Sequence, residues 1–437
     1  MFKHLKLRAL TSGEQGFIKN ASVLVGGTAL SQLIGFAFML ILTRIYSPEE
    51  FGTYSVLLAI ATPVGIVGCL RFEMAIMVAD DESGEKEAAA LLSIVSAITI
   101  TSISIIALPF LAKAGLLGDG VSQILYWQYL ISVCIFLQAI SLPMRMWALR
   151  EKKYRLGATT EILQRTVQGG LQAVVPSIGG LGAGGLVLGL LCGLCVKASL
   201  LGSVYIRTNK ALSNRLKNLQ LAALKFRNFP IYQVPGTLLN SIAREWPVLI
   251  IAASFGEREA GLYFLANKVV GMPLSIVGRA VSDVYYQEAA LLNRRGKKGV
   301  LEVKVIFLLA TLVIPVLLVL GFLGPNLLGF LLGDQWMEVG VLVQCMLPLI
   351  GLRFVAAPLA KTFSVYQKQK AGLVWQICFL CASFAGLYIG STGFGLQGGL
   401  ILYSIAGASM YGFLILLALK YGGGSLRDFI TKANLGR

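Results

Sequence analysis

Long apolar runs alternate with short polar stretches along almost the whole chain. A helix that crosses a bilayer needs about 20 mainly apolar residues. Twelve runs meet this requirement, which predicts an all-α membrane protein with twelve transmembrane helices. The predicted spans are 20–43, 51–74, 87–110, 123–146, 157–178, 184–206, 230–254, 260–284, 303–323, 339–361, 371–390 and 397–420.

Basic residues between the runs predict the orientation. Lysines and arginines crowd into the two tails and into every second connection, except that the acidic connection after the second span holds only Lys86. The intervening connections hold Arg44, Lys113 and Arg258. Cytoplasmic connections of membrane proteins carry an excess of lysine and arginine. The pattern therefore predicts that both ends of the chain lie in the cytoplasm.

The second half of the sequence repeats short motifs of the first half in the same order. Because each half would hold six spans, an even number, both halves enter the membrane in the same sense and form a parallel 6+6 repeat. Halves of this kind can rock about a central cleft, as transporters do. The paired segments are Glu50–Tyr54 with Glu259–Tyr263, Pro63–Gly68 with Pro273–Gly278, and Leu116–Asp119 with Leu331–Asp334.

The repeat predicts three regions. Residues 1–206 form an N-terminal six-helix bundle, 207–229 a basic cytoplasmic linker, and 230–437 a C-terminal six-helix bundle. Since one chain supplies both halves, we expect a monomer. The first apolar run is long enough to span the membrane and stay there, so no cleaved signal peptide is expected.

Composition agrees with the spans. The 437 residues are 56% hydrophobic and 14% charged, with mean hydropathy +0.75, whereas soluble proteins carry roughly a quarter charged residues. In a soluble protein a net charge of +17 would suggest a nucleic-acid partner. Here the cytoplasmic excess of basic residues accounts for it, so no nucleic-acid partner is expected.

No catalytic or cofactor motif is found in the sequence. Its only histidine is His4, and its seven cysteines lie in apolar runs, which argues against a zinc site. It has no GxxxxGK[ST] loop, and its two GxGxxG matches, at 180–185 and 393–398, lie at the borders of apolar runs and not between a predicted strand and a helix. We therefore expect no enzyme activity, no cofactor and no metal, and no ATP-driven transport by this chain alone.

Basic residues inside the spans are the candidate binding groups. A charge there costs roughly 2.5–3.5 kcal/mol, so it tends to face a cavity or a partner. Arg71, Arg165 and Lys197 lie near span ends or beside carboxylates, which favours ion pairing or snorkelling. Four basic residues are predicted to line a cleft: Arg244, Lys268, Arg279 and Arg353. Forked arginine guanidiniums and lysine ammonium charges there would suit a pyrophosphate.

Neighbouring polar residues extend this prediction. Asn240 and Arg244 are four residues apart, and Asp283 is placed to pair with Arg279 on one helix face. Gln164 and Gln168 belong to a polar stripe on the fifth span. Four carboxylates are candidates for ion coupling, and the sequence does not select among them: Glu73, Glu161, Glu245 and Asp283.

Several motifs resemble a known family. Leu42–Tyr54, Arg71–Ile76, Glu259–Tyr263 and Asn267–Pro273 are similar to segments of the O-antigen-type polysaccharide biosynthesis flippases. That family belongs to the multidrug, oligosaccharidyl-lipid and polysaccharide exporter superfamily, together with lipid II flippases and multidrug and toxin extruders. The resemblance covers essentially the whole chain.

The resemblance implies a V of two bundles in the bacterial inner (cytoplasmic) membrane. The expected substrate is a polyprenyl-pyrophosphate-linked oligosaccharide for O-antigen, exopolysaccharide or capsule, and membrane lipid and the polysaccharide polymerase or export machinery are expected partners. Lipid II flippases usually have fourteen helices and an arginine inside helix 1. This chain departs from both features, which argues against a peptidoglycan role.

Two other functions stay open. An ion-coupled multidrug exporter would share the fold, but a basic cleft would repel a cationic drug. A membrane polymerase or ligase would be expected to carry a sizeable external loop. For the flippase, the expected substrate-binding residues are Arg279, Lys268, Arg244, Arg353, Asn240, Asn267, Gln164 and Gln168.

Overall fold

The computed structural model describes residues 12–80, 84–113, 124–179, 181–208, 219–294 and 301–423, and its long elements are all α-helices. His4 lies outside the described residues, and so does the connection 114–123, which follows Lys113. The helices are α1 (Ser12–Leu42), α2 (Pro48–Val67), α3 (Glu85–Lys113), α4 (Ile124–Arg150), α5 (Tyr154–Gly179), α6 (Ala183–Thr208), α7 (Leu219–Lys225), α8 (Val234–Phe255), α9 (Glu257–Arg294), α10 (Leu301–Leu332), α11 (Met337–Ala356), α12 (Thr362–Val365) and α13 (Gln369–Gly422).

Within these ranges, nine helices are long and apolar enough to cross a membrane. They include α2 to α4, α6, α8 to α11 and α13. Helix α1 contributes a shorter apolar stretch, Gly26–Leu42, and α5 is the most polar of the predicted spans. The predicted class, an all-α membrane protein, is confirmed. The count of twelve spans and their orientation stay predictions.

Helix α13 turns back on itself. Its 54 residues would extend about 80 Å if straight, far beyond a hydrocarbon core of about 30 Å. At Phe394 and Gly395 the backbone leaves helical geometry, and Gly395 has φ 70° and ψ −168°, which strongly favours glycine. Gly390 then packs against Gly399, so the two arms run antiparallel. This corner lies between the predicted spans 371–390 and 397–420.

Helix α2 is shorter than the predicted span 51–74. It ends at Val67, and both Leu70 and Arg71 adopt left-handed backbone conformations before a short 3₁₀ helix, Phe72–Met77. The apolar residues that follow Val67 belong to a buried corner rather than to a continuation of α2. Arg150 of α4 holds the corner by donating to the carbonyls of Ile76 and Ala79.

The chain forms two compact units. Unit one comprises Met1–Ile45 and Leu57–Ser241, and unit two comprises Tyr46–Val56 and Ile242–Arg437. This division differs from the predicted regions because the first turns of α2 belong with the C-terminal residues. The predicted linker 207–229 falls partly on 209–218, outside the described residues, and its α7 packs within unit one through Ala222.

A close contact between backbones places the start of α2 in unit two. A Cβ atom at Gly52 would overlap the carbonyl of Glu257, and one at Gly261 would overlap the carbonyl of Pro48. Gly52 and Gly261 hold the same position in their repeated segments, so the contact is reciprocal. Nearby, the Phe51 ring meets the Trp336 ring edge-on, with 5.2 Å between centroids.

Candidate functional site

Unit two contains a buried group of polar aromatic side chains. Tyr263 of α9 is 2% exposed and Tyr403 of α13 is 5% exposed. Their hydroxyls interact, and the side chain of Asn267 also reaches Tyr263. Because a buried hydroxyl without a partner is costly, this mutual bonding explains how two tyrosines are tolerated inside the helices.

Arg353 of α11 supplies the positive charge beside the tyrosines. Its half-buried guanidinium acts electrostatically on Tyr263, Tyr403 and Tyr411. Across from it is Gly271, where a Cβ atom would lie 4.0 Å from Nη2. The absence of a side chain at Gly271 leaves the guanidinium room on that side.

Two further basic residues lie in the same unit around one carboxylate. Glu245 of α8 is half-buried and lies within electrostatic range of Lys268 and Arg244. The Lys268 Nζ atom is 5.1 Å from the centroid of the Phe264 ring. Arg244 also acts on Tyr411, which joins these residues to the tyrosines. We call the whole group the basic–aromatic cluster: Arg244, Glu245, Tyr263, Asn267, Lys268, Arg353, Tyr403 and Tyr411.

Aromatic rings continue from the basic–aromatic cluster. Trp375, Phe379 and Tyr411 have centroids 5.2–5.5 Å apart, and the Trp375 indole donates to the Met410 carbonyl at 2.8 Å. Trp246 lies 6.1 Å from the Tyr403 ring. Ligand sites combine apolar walls with a few placed polar groups. The basic–aromatic cluster has this character and an excess of positive charge, which suits an anionic ligand.

The structure thus brings together five of the residues that the sequence singled out. Arg244, Lys268, Arg353, Asn267 and the coupling candidate Glu245 all belong to the basic–aromatic cluster. Asn240 is exposed and precedes Arg244 by four residues on α8, which places both on one face of the helix.

Arg279 and Asp283 lie elsewhere on α9. Both are exposed, and Arg279 is eleven residues beyond Lys268, about 16 Å along the helix axis. The two side chains form no ion pair, so the predicted pairing is corrected. Both groups are exposed, where an ion pair contributes only about 0–1 kcal/mol, and their order is the less favourable one for a helical pair.

Gln164 and Gln168 of unit one are buried, at 6% and 7% exposure. They lie where α5 meets α6, because a Cβ atom at Gly193 would fall 2.8 Å from the Gln164 carbonyl oxygen and 2.9 Å from the Gln168 Cβ. On the same stripe, Gln172 Nε2 donates to the Leu186 carbonyl at 2.7 Å. This position favours helix packing, and a substrate role for Gln164 and Gln168 stays a prediction.

Glu161 of unit one forms a half-buried ion cluster. Its Oε1 lies 2.7 Å from Lys197 Nζ and 3.8 Å from an Arg145 guanidinium nitrogen. The ion-pair interpretation of Lys197 agrees with this geometry. Arg145 and Lys197 also border a cavity of about 140 Å³ between α2, α4 and α6.

Glu73, another coupling candidate, lies in the corner after α2. Its carboxylate is 1% exposed and 3.2 Å from Arg71. Burial raises the pKa of Glu73 above its ordinary value, and the Arg71 charge and a backbone hydrogen bond partly offset that rise. The pairing of Arg71 with this carboxylate agrees with its predicted ion-pair role.

Sequence reasoning missed the tyrosines of the basic–aromatic cluster. Tyr403 and Tyr411 are eight residues apart on one helix, which places them on the same face, but the same spacing is common in ordinary apolar cores. Tyr263 belongs to a repeated motif, and that motif does not indicate that its hydroxyl forms a buried hydrogen bond. Over the described ranges, no group of three or more His, Cys, Asp or Glu side chains is arranged to hold a metal ion.

Comparison with known proteins identifies the family. A family model described as "Polysaccharide biosynthesis protein" matches residues 41–340. The chain belongs to this family. The resemblance seen in the motifs is therefore confirmed.

A curated relative of similar sequence is the succinoglycan biosynthesis transport protein ExoT of Rhizobium meliloti (strain 1021). It is 24% identical over 325 residues, which are 71% of this chain and 62% of ExoT. The present chain thus spans under two thirds of that relative's length. The name of this relative describes transport.

Solved structures of transporters share the fold. The lipid II flippase MurJ matches with a TM-score of 0.74 and 12% identity, covering 93% of this chain and 89% of MurJ. An inward-facing multidrug resistance MATE transporter matches with a TM-score of 0.68 and 14% identity, covering 90% of this chain and 94% of the transporter. A transporter of the multidrug, oligosaccharidyl-lipid and polysaccharide exporter (MOP) superfamily from Pyrococcus furiosus matches with a TM-score of 0.58 and 12% identity, covering 92% of this chain and 93% of that transporter. The chain therefore has the fold of these transporters, which include members of the MOP superfamily.

Proposed function

We propose that the protein is a flippase that moves a polyprenyl-pyrophosphate-linked oligosaccharide across the bacterial inner membrane for surface polysaccharide synthesis, such as O-antigen, exopolysaccharide or capsule. The observation that carries this proposal is the basic–aromatic cluster, found in a member of a polysaccharide biosynthesis family. The cluster contains three basic side chains and one carboxylate, Glu245, which lies near two of them. An anionic headgroup joined to sugars suits such a site better than a cation does.

The pyrophosphate would rest on Arg353, with Lys268 and Arg244 as further contacts. A guanidinium can donate two parallel hydrogen bonds to phosphate oxygens, whereas an ammonium acts as a point charge. The hydroxyls of Tyr263 and Tyr403 would hold the guanidinium side of the site in place. Asn267 and Asn240 offer amides for sugar hydroxyls, and the prenyl chain would stay in lipid.

The architecture belongs to the same proposal. We infer twelve spans in two parallel six-helix bundles, with both ends of the chain in the cytoplasm and a monomer as the working unit. The motif repeat, the corner in α13 and the reciprocal Gly52–Gly261 contact support this arrangement. Membrane lipid and the polymerase or export machinery are the proposed partners.

The site can be tested in cells that lack the gene. Arg353→Ala, Lys268→Ala and Arg244→Ala should each lower flipping, measured as lipid-linked oligosaccharide retained on the cytoplasmic leaflet. We expect losses of about 10- to 100-fold, because a hydrogen bond to a charged group contributes about 1.5–3 kcal/mol. Arg353→Lys should lose nearly as much flipping activity as Arg353→Ala, because lysine cannot donate the two parallel hydrogen bonds of a guanidinium.

Lys370→Ala, which removes an exposed lysine at the start of α13, is the matched control and should restore export fully at equal protein level. Arg279→Ala tests the contact predicted from sequence alone, with loss of export and normal membrane insertion expected. Full activity in Arg279→Ala would remove Arg279 from the site. Full activity in all three cluster variants would refute the placement of the pyrophosphate.

The drug-exporter alternative predicts a different phenotype. Deletion would leave the lipid-linked pools normal and change sensitivity to cationic drugs. No feature of the basic–aromatic cluster favours that outcome, because its excess positive charge repels a cation.

A further inference from the structure

A carboxyl group is buried at the start of α10, outside the basic–aromatic cluster. Glu302 is 1% exposed, although it is the second residue of its helix. Its aromatic partner Tyr285 belongs to an apolar cluster that also includes Val305 and Leu309. A glutamate in the first turn of a helix is usually solvated and faces the helix dipole. Glu302 is instead enclosed by protein.

The hydrogen-bond partners of Glu302 are neutral. The Tyr285 hydroxyl donates to Glu302 Oε1 at 3.1 Å, and the Thr362 hydroxyl lies 2.6 Å from the Tyr285 hydroxyl. Tyr366 forms a further side-chain hydrogen bond, and the backbone amide of Glu302 itself contributes another. Hydroxyls from α9, α12 and the turn after α12 therefore surround this carboxyl.

Within the described ranges, no basic side chain lies within 4 Å of Glu302, since no ion pair joins it to lysine or arginine. Lys361, beside α12, lies 5.8 Å from the Tyr286 ring, and Lys368, before α13, lies 6.0 Å from the Tyr421 ring. Within the described ranges, the charged residues within three positions of Tyr285, Glu302 or Gly422 are exposed: Asp283 and Glu288 on α9, Lys304 on α10 and Lys420 on α13.

The last turn of α13 closes the remaining side. A Cβ atom at Gly422 would overlap the Glu302 carboxyl, so the glycine backbone lies directly against it. Ionising a carboxyl in such a place leaves a buried charge with no counter-ion among the residues that the structure describes, which is strongly unfavourable. The N terminus of α10 offers a partial charge of only about +0.5. A proton neutralises the group completely and converts it into a donor for the hydroxyls around it.

We propose that Glu302 is a proton-binding site. The carboxyl holds its proton in this conformation, and it releases the proton when the ends of α9, α10, α12 and α13 that enclose it move apart and admit water. In a carrier that alternates between conformations, such a group takes up and releases one proton in each cycle. The site itself requires no substrate, so it stands or falls independently of the proposed flippase activity.

Infrared spectroscopy of the full-length protein in lipid nanodiscs at neutral pH tests the proposal. The wild type should show the carbonyl band of a protonated carboxyl, and Glu302→Gln should lose that intensity. Glu288→Gln, which alters an exposed glutamate on α9, should keep it. Tyr366→Phe removes one hydrogen-bond partner and should shift the band while leaving the carboxyl in place, which serves if Glu302→Gln does not fold.

Three results would overturn the proposal. One is an unchanged band in folded Glu302→Gln. Another is a carboxyl band that keeps its wild-type position in both Tyr366→Phe and Tyr285→Phe. The third is loss of the wild-type band on adding sodium chloride but not choline chloride, because it would assign the site to a sodium ion.

Discussion

Glu73 illustrates how a single buried carboxylate depends on its one ionic partner. It lies in the turn after α2, where Arg71 is its cation at 3.2 Å. Burial outweighs that partner, so the pKa of Glu73 is raised above the ordinary value of 4.5. The folded protein therefore binds a proton at Glu73 more tightly than the unfolded chain does.

The raised pKa gives a pH dependence with a definite sign. The contribution of Glu73 to stability is fully present below pH 4.5 and is lost as the pH rises through the raised pKa. Each pKa unit corresponds to about 1.4 kcal/mol. Glu73→Gln should therefore be less sensitive than the wild type to a rise from pH 4.5 to neutral, measured as thermal unfolding in detergent.

Glu288→Gln is the control for that measurement, because Glu288 is exposed. It should follow the wild-type pH profile. Parallel profiles for Glu73→Gln and the wild type would show that Arg71 compensates burial completely.

Individual residues also show what a sequence can and cannot predict about the site. Arg244, Lys268 and Arg353 were found because a charge within an apolar run is unusual. Tyr403 and Tyr411 were not, because a tyrosine in such a run is ordinary until its hydroxyl is known to meet another polar group. Glu302 was missed for a related reason, since its position in the first turn of α10 resembles a solvated helix start.

At the level of helices, the contact between α2 and α9 depends on two glycines. Gly52→Ala and Gly261→Ala would each place a methyl group against a backbone carbonyl. Overpacking typically costs about 1–3 kcal/mol, and backbone cannot yield as a side chain can. Each variant should lower the melting temperature and the yield of folded protein.

Gly412→Ala is the matched control, since a Cβ atom there meets nothing within 4 Å. Alanine is favoured over glycine inside a helix by roughly 0.5–1 kcal/mol. Gly412→Ala should therefore match or exceed the wild type in thermal stability. Equal melting temperatures for Gly52→Ala and Gly412→Ala would argue against a tight contact.

Helix interiors were easier to predict than helix ends. The apolar run at 51–74 contains no residue that obliges the helix to stop at Val67, and the corner depends on Arg150, which lies far away in sequence. The break in α13 was predicted more closely, because Gly393 and Gly395 interrupt the apolar run. The glycines thus indicate the break in α13 from local sequence, whereas the corner after α2 depends on a long-range hydrogen bond.

The orientation of the whole molecule is a prediction that labelling can test. Ser364 and Thr392 are both exposed, and the basic residues predict opposite sides of the membrane for them. In a variant whose seven cysteines are replaced by alanine, a membrane-impermeant maleimide added to spheroplasts should label Thr392→Cys and spare Ser364→Cys. Labelling of Ser364→Cys alone would invert the topology, and permeabilised cells provide the control for reactivity.

The two compact units show the limit of sequence repeats as a guide to structure. The repeated motifs predicted a division between residues 206 and 230, whereas contacts place Tyr46–Val56 with the C-terminal part of the chain. A repeat reports the equivalence of two segments. It does not report which neighbours each segment packs against, because this depends on the tertiary contacts of Gly52 and Gly261.

The reciprocity of that contact has the symmetry of a subunit interface. Gly52 meets Glu257, Gly261 meets Pro48, and Pro48 is the counterpart of Glu257 in the repeated segment. In an isologous interface, residue i of one subunit meets residue j of the other, and j meets i. The contact has the form that a two-fold homodimer of single repeats would make, here within one chain.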